Sequence, residues 1–414
     1  MLTYFPTPYP GEWWYSVLCR YHVRSGHAKH QTTVKELFQG KSLSQMGAVF
    51  PNTTIPKVLA QLPSGFLDIR DMVIQHTLFP YYTRCYRPDE KEQILERLSL
   101  GKTEIITSIR LFADASKHFP RFCPLCWAED RQRYGEAYWH IAHQIPLLMI
   151  CPVHGCFLVE ADAILPSHLS YTFFPLDAYT PPDPKGPPGP SWQSTFSQIL
   201  YEYQMLPIEQ GATDGYNNLA IFLGNLGYEI IQNHSPHTIL DAHRLYQNLV
   251  GFYGSALVEQ IFGSSASSPL LNRVCKWEMK VPERYALLQC FAGLDSASMF
   301  NKEKLRSRYE SALLDMESTG VRYGKKDVAN RLGITTSQLD LLAKKYNIDP
   351  FWTQNKADVS CVARKLNIPL NETELLLFKN ALRKSGFRYD SHFAKHCILQ
   401  YIKQNAARKK DGSI

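Results

Sequence analysis

Residues 122–155 read FCPLCWAEDRQRYGEAYWHIAHQIPLLMICPVHG. Cys123 and Cys126 form one Cys-x-x-Cys pair, and Cys151 and His154 form a Cys-x-x-His pair after 24 intervening residues. A two-residue gap lets both side chains of a pair turn onto one ion, and zinc accepts thiolate and imidazole in a tetrahedron. Pro124 and Pro152 hold the same place inside the two pairs, and Gly155 follows the second, as a tight turn favours. The pattern predicts one structural Zn2+ on Cys123, Cys126, Cys151 and His154. The competing reading is a set of unrelated buried thiols with a surface histidine. Four protein ligands leave no open position for water, so such a site holds structure and does not hydrolyse. His140, His143 and Cys156 lie nearby in sequence, as substitute ligands, as neighbours of the ligands or as ordinary core residues.

The rest of the chain sets bounds on what this module can serve. At 414 residues the sequence exceeds one ordinary core, and two or three domains are expected. Its 44% hydrophobic content is that of a globular protein. No apolar run approaches the roughly 18 residues of a membrane helix, and MLTYFPTPYP lacks the features of a signal peptide. A cytoplasmic protein is expected, nucleoid-associated when bound to DNA, with its ten cysteines as thiols and metal ligands. Charge is uneven. Residues 301–414 hold 22 Lys and Arg against 12 Asp and Glu, while residues 1–300 hold 23 against 26. That asymmetry suits a polyanion-binding tail on a near-neutral body, although a solvated charged surface gives the same count.

Helical spacing recurs along most of the chain. PGEWWYSVLCRYHVRSGH reads as a helix stopped near Gly26, and Thr33 with Glu36 gives the spacing of a capping box. Short helices are expected in PKVLAQL, IRDMVIQHT and KEQILERLSL, and strand residues in CFLVE. TPPDPKGPPGP, residues 180–190, carries six prolines and predicts a linker or long surface loop. Beyond it, STFSQILYEYQML, YNNLAIFLGNLGYEII, ILDAHRLYQNLVGFYGSALVEQIF and VPERYALLQCFAG read as helices. The expected division is 1–175, a linker at 176–191, a helical middle domain at 192–300 and a basic region at 301–414.

CPLC, ED, YGEAYWHIAHQIP and CPVHG together resemble the zinc-containing TniQ/TnsD family of transposon target-site selectors. FPTPYPGEWWYSVLCRYHVRSG, QHTLFPYY, GFYGSALVEQIFG and WEMKVPERYALLQCFAG are similar to the same family, closer to TnsD. The resemblance implies an N-terminal zinc domain that docks on the AAA+ ATPase TnsC. It also implies binding to a double-stranded DNA attachment site and no catalysis of its own, cleavage belonging to separate transposase subunits. An alternative within the family is a TniQ-type adaptor that links an RNA-guided CRISPR effector complex to TnsC. A zinc deaminase is excluded by the absence of His-x-Glu at the metal-binding histidine.

The basic region supports DNA binding independently of family. In GKKDVANRLGITTSQLDLLAKKYNI, Ala329, Gly333 and Leu339 fall where a helix-turn-helix needs a small crossing residue, a turn glycine and an apolar anchor. Thr335 is the expected cap of the second helix. Thr336, Ser337 and Gln338 are candidates for base edges, and Lys325, Lys326, Lys344 and Lys345 for phosphates. A looser copy lies around Ala363 and Asn367, and Arg383, Lys384 and Arg388 are further phosphate candidates. A plain helical hairpin is the competing reading. The fold class expected is therefore mainly α and multidomain. It comprises an N-terminal helical domain with a zinc-ribbon-like module, then helical domains with at least one C-terminal helix-turn-helix. The zinc-pinned aromatic stretch is expected to offer a surface to a protein partner.

Overall fold

The computed structural model describes residues 2–39, 50–51, 54–100, 120–161, 172–187, 191–212, 218–232, 238–264, 271, 273, 280–321, 323–352, 372–385, 392–394, 396–397 and 400. The protein is mainly helical with two small antiparallel hairpins among these residues. It divides into two compact units, one of Met1–Phe222 with Ala242–Lys304, the other of Leu223–Asp241 with Leu305–Ile414. No described helix is long and apolar enough to cross a membrane.

The first unit opens with α1 (Trp14–Arg24), α2 (His30–Phe38), α3 (Thr54–Leu59), α4 (Ile69–His76), α5 (Phe79–Tyr82) and α6 (Pro88–Ser99). Strand β1 (Arg121–Phe122), helix α7 (Pro124–Tyr134) and strand β2 (Val159–Glu160) form the cysteine-bearing module. Helices α8 (Trp192–Met205), α9 (Asn218–Leu223), α10 (Ala242–Tyr253), α11 (Ser255–Phe262), α12 (Pro282–Ala292) and α13 (Ser296–Met299) follow. Helix α1 is buried all round over its first eight residues, Trp14 to Tyr21, with Ser16 and Arg20 among them, so it is a central helix. Helix α2 starts at His30, earlier than expected. Thr33 is not its cap, because its hydroxyl lies 2.6 Å from His22 Nδ1 and 3.1 Å from His27 Nδ1.

The expected boundary at 176–191 falls inside the first unit. Helix α8 packs against α5 and α12, and two buried cations seal its C-terminal end. Arg84 donates to the carbonyls of Tyr203, Leu206, Pro207 and Gln210 at 2.6–2.9 Å, and Lys91 donates to Ile208 O at 2.9 Å. Tyr203 O and Leu206 O are acceptors that a helix end leaves unpaired and the others belong to the turn that follows, so burial without such donors would be costly. The proline-rich segment is a pinned surface loop in its described part. Lys185 O accepts from Phe157 N at 2.7 Å, and a side chain at Gly186 would meet Gly155 O at 3.3 Å.

Two runs read as continuous helices are broken by glycine. Gly227 (φ +97°) ends the helical path from α9 and leads into strand β3 (Glu229–Ile231), which pairs with β4 (Thr238–Leu240). Gly254 (φ +87°) separates α10 from α11. L side chains rarely adopt that conformation, so the helix stops there.

In the second unit, the β3–β4 hairpin is joined by α14 (Arg308–Ser318), α15 (Lys325–Leu332), α16 (Thr336–Tyr346) and α17 (Glu372–Ser385). Its core is Tyr309, Leu313, Val328, Leu339, Leu342, Phe351 and Trp352, with Ile231 of β3 packed against it. The hairpin thus belongs with residues that follow it by about a hundred positions. The looser helical copy around Ala363 and Asn367 lies outside the described residues.

Candidate metal centre and nucleic-acid interface

The two cysteine-bearing turns converge because each is a local cap. Cys123 is the N-cap of α7 and its Sγ accepts from Cys126 N at 3.5 Å, which turns both sulfurs to one side. In the second turn Gly155 (φ +66°) lets its N–H reach Cys151 O at 2.8 Å, and Cys151 N donates to Cys156 O at 2.8 Å. The four donor atoms of Cys123, Cys126, Cys151 and His154 all lie within 4.8 Å of one another and could hold a metal ion. Ligand bonds of about 2.3 Å to sulfur and 2.0–2.1 Å to nitrogen give a tetrahedron with edges of about 3.8 Å (S···S) and 3.6 Å (S···N). The structure has Cys126 Sγ to Cys151 Sγ at 3.8 Å, and His154 Nδ1 at 3.5, 3.3 and 3.7 Å from Cys123, Cys126 and Cys151. The donor set fits.

The neighbours sort themselves by distance. His154 offers Nδ1 to the sulfurs while Nε2 lies 3.0 Å from Glu129 Oε1, the carboxylate–histidine pairing that orients metal ligands. Burial disfavours its charged ring, but Glu129 and Cys151 outweigh this and lift His154 to about 9. Glu129 was missed in the sequence reading as a partner; its place in ED, two residues past Trp127, gave no distinguishing signal. His143 Nε2 stands 3.8 Å from both Cys126 and Cys151, and burial pushes its pKa down to about 3, so it is neutral. His140 is engaged elsewhere, 2.8 Å from Asp130 Oδ2 and stacked on Tyr138. Cys156 approaches Cys123 at 3.3 Å. Hydrogen bonds from Cys123 and Cys151 and burial push the Cys126 thiol up, while hydrogen bonds from Cys123 and Cys126 hold Cys151 down to about 2. Crowded thiols cannot all ionise without a cation between them.

The aromatic stretch between the turns is a buried seam, not the exposed surface expected. Trp139 and Tyr138 are buried, Trp13 N donates to Trp139 O at 2.7 Å, and Ile141 N donates to Gly11 O at 2.9 Å. A buried ionic network reinforces the seam. Glu12 accepts from Arg20, Tyr9 N and Ser16, and Glu136 accepts from Arg20 and Arg24. The two sequence stretches GEWW and YGEAYWHI therefore meet in space. Beside the metal cluster is a cavity of about 620 Å³, walled by Tyr138, Tyr201, Ile208 and the exposed Val153 and Met205, with Glu129 among its polar residues.

The second candidate site is the α15–α16 hairpin. Gly333 takes the left-handed conformation (φ +66°) that closes α15, and Thr335 caps α16 with its hydroxyl on Gln338 N at 3.2 Å. Of the candidate contact residues, Lys326, Ser337 and Lys344 are exposed and Thr336 is half-buried. Lys325 pairs with Asp340 at 2.6 Å and Lys345 with Glu229 at 3.6 Å. Gln338 is committed on both sides of its amide. Its Oε1 accepts from Thr335 N at 2.9 Å, and its Nε2 donates to Ile231 O at 3.0 Å. Arg383 and Lys384 are exposed on α17, and Arg388 lies outside the described residues.

These features coincide with a known domain. Residues 3–158 match the TniQ family model, so this N-terminal part of the chain is a TniQ domain. A segment of 168 residues is 30% identical to the Transposon Tn7 transposition protein TnsD of Escherichia coli, covering 40% of this chain and 32% of that protein. The matched part thus spans about a third of the relative's length.

Proposed function

We propose that this protein is a target-site selection factor of a cut-and-paste transposon. In this reading its second unit binds a double-stranded DNA attachment site in a sequence-specific manner. The TniQ domain, held by one structural zinc on Cys123, Cys126, Cys151 and His154, recruits the AAA+ regulator TnsC and through it the transposase. The protein is then a cytoplasmic, nucleoid-associated bridge without catalysis of its own. The observation that carries the proposal is the TniQ match over residues 3–158, which includes all four candidate ligands, together with the 30% identity over 168 residues to a Tn7 transposition protein. The capped α15–α16 hairpin in the basic region supports its helix-turn-helix part. The apolar cavity beside Val153 and Met205 supports a protein partner for the first unit, since exposed apolar walls rimmed by polar groups suit such contacts.

The test uses the purified full-length chain. Selection from a random duplex pool should recover one sequence, and that duplex should give a footprint; a pull-down should retain TnsC with nucleotide. Retention of TnsC without any selected sequence would instead favour the adaptor to an RNA-guided complex.

A further inference from the structure

The α16 helix presents four faces, and three of them are engaged. Leu339, Leu342 and Ala343 are buried in the core of the second unit. One flank carries Gln338 and Lys345, tied to Ile231 and Glu229 of the inserted hairpin. The other carries Asp340, tied to Lys325 of α15. The stripe between the flanks is Ser337, Leu341 and Lys344, which share one face by their spacing of four and three. Ser337 and Lys344 are exposed. Leu341 is half-buried, yet it is not among the apolar side chains packed on the core cluster in the described residues.

We propose that Leu341 is a specificity residue that packs on a thymine methyl in the major groove, while Gln338 is a positioning residue that fixes the helix to the inserted hairpin. The inference rests on the DNA-binding reading above. This leucine stands on one helix face between an exposed serine and an exposed lysine, and among the described residues it is not one of those packed on the core cluster. In the major groove the thymine 5-methyl is the apolar mark on a base edge, and an apolar side chain is what recognises it. Lys344 on the same stripe and the exposed Lys326 supply charge for flanking phosphates. Gln338, with its amide oxygen on Thr335 N and its amide nitrogen on Ile231 O, is held by these two bonds and is not free to swing onto an adenine.

The experiment uses the full chain and the duplex recovered by selection with it. Each thymine is replaced in turn by uracil, which removes only the methyl. For one or two positions the native chain should lose about fourfold in affinity, the worth of one buried methyl. Leu341→Ala should bind the thymine and uracil duplexes equally there. Gln338→Glu, which keeps the acceptor for Thr335 N but loses the donor to Ile231 O, should melt lower while selecting the same sequence. Indifference of the native chain to every uracil, an unchanged loss in Leu341→Ala, or a new base preference in Gln338→Glu would overturn the assignment and leave sequence-specific binding intact. Failure of the native chain to select any sequence would overturn both readings.

Discussion

The cysteine-bearing module and the α15–α16 hairpin solve the same problem by different means. Each must hold two short segments at a tight turn. The module does so with four donor atoms around a point, with Leu125 and Leu158 packed on its cysteines, while the stretch between its two turns buries Trp139, Ile145 and Leu148. The hairpin uses an apolar cluster that includes Leu339, Leu342 and Trp352, with a capping box and ion pairs at its edges. In our account order in the first depends on an ion and in the second on buried area. The same contrast separates their partners in our account, with protein recruitment on one side and DNA on the other.

The largest expected effect follows from removing the ion. Structural zinc in small fingers contributes about 10–16 kcal/mol of apparent binding energy. Chelation, or Cys123→Ser, should therefore collapse amide protection across residues 120–161 while residues 325–346 keep theirs in hydrogen exchange. Equal loss in both regions would break the comparison. Next in size is Arg84→Ala, which removes four hydrogen bonds to backbone carbonyls at and just beyond the end of α8 and should cost about 3–5 kcal/mol in denaturant unfolding. An effect under 1 kcal/mol would mean that α8 is held without it. Leu339→Ala should cost about 2–4 kcal/mol, read by exchange in the second unit only.

A pH effect is smaller. Burial pushes the Glu283 carboxyl up to about 7 from its ordinary 4.5. The folded chain then keeps a proton that the unfolded chain releases. This contribution is full below about pH 4.5 and is lost as pH rises to about 7, amounting to up to about 3 kcal/mol. Glu283→Gln should flatten that part of the pH–stability curve; an unchanged slope would show that the group is already ionised in the fold.

Legibility in sequence followed the range of the interactions. The paired spacing of Cys123, Cys126, Cys151 and His154 and the capping residues Thr335 and Gly333 act within a few positions, and the four donor atoms and the turn geometry fall where that spacing indicates. The breaks at Gly227 and Gly254 were hidden inside apolar runs that look helical on periodicity alone. The bond from Gln338 to the Ile231 carbonyl was hidden because the two lie 107 positions apart. The proline-rich stretch read as a linker or a long surface loop, because nothing local reveals the bond from Phe157 to Lys185. A cut near residue 175 would remove the helix whose end Arg84 and Lys91 seal, so the two functions are better separated by point substitutions in the whole chain.

The division of labour itself is tested most directly by amide hydrogen exchange of the full chain, with and without its selected duplex. The account predicts new protection on residues 325–346, centred on the stripe of Ser337, Leu341 and Lys344, with residues 121–158 unchanged. Protection that appears on the cysteine-bearing module and leaves α16 untouched would contradict it.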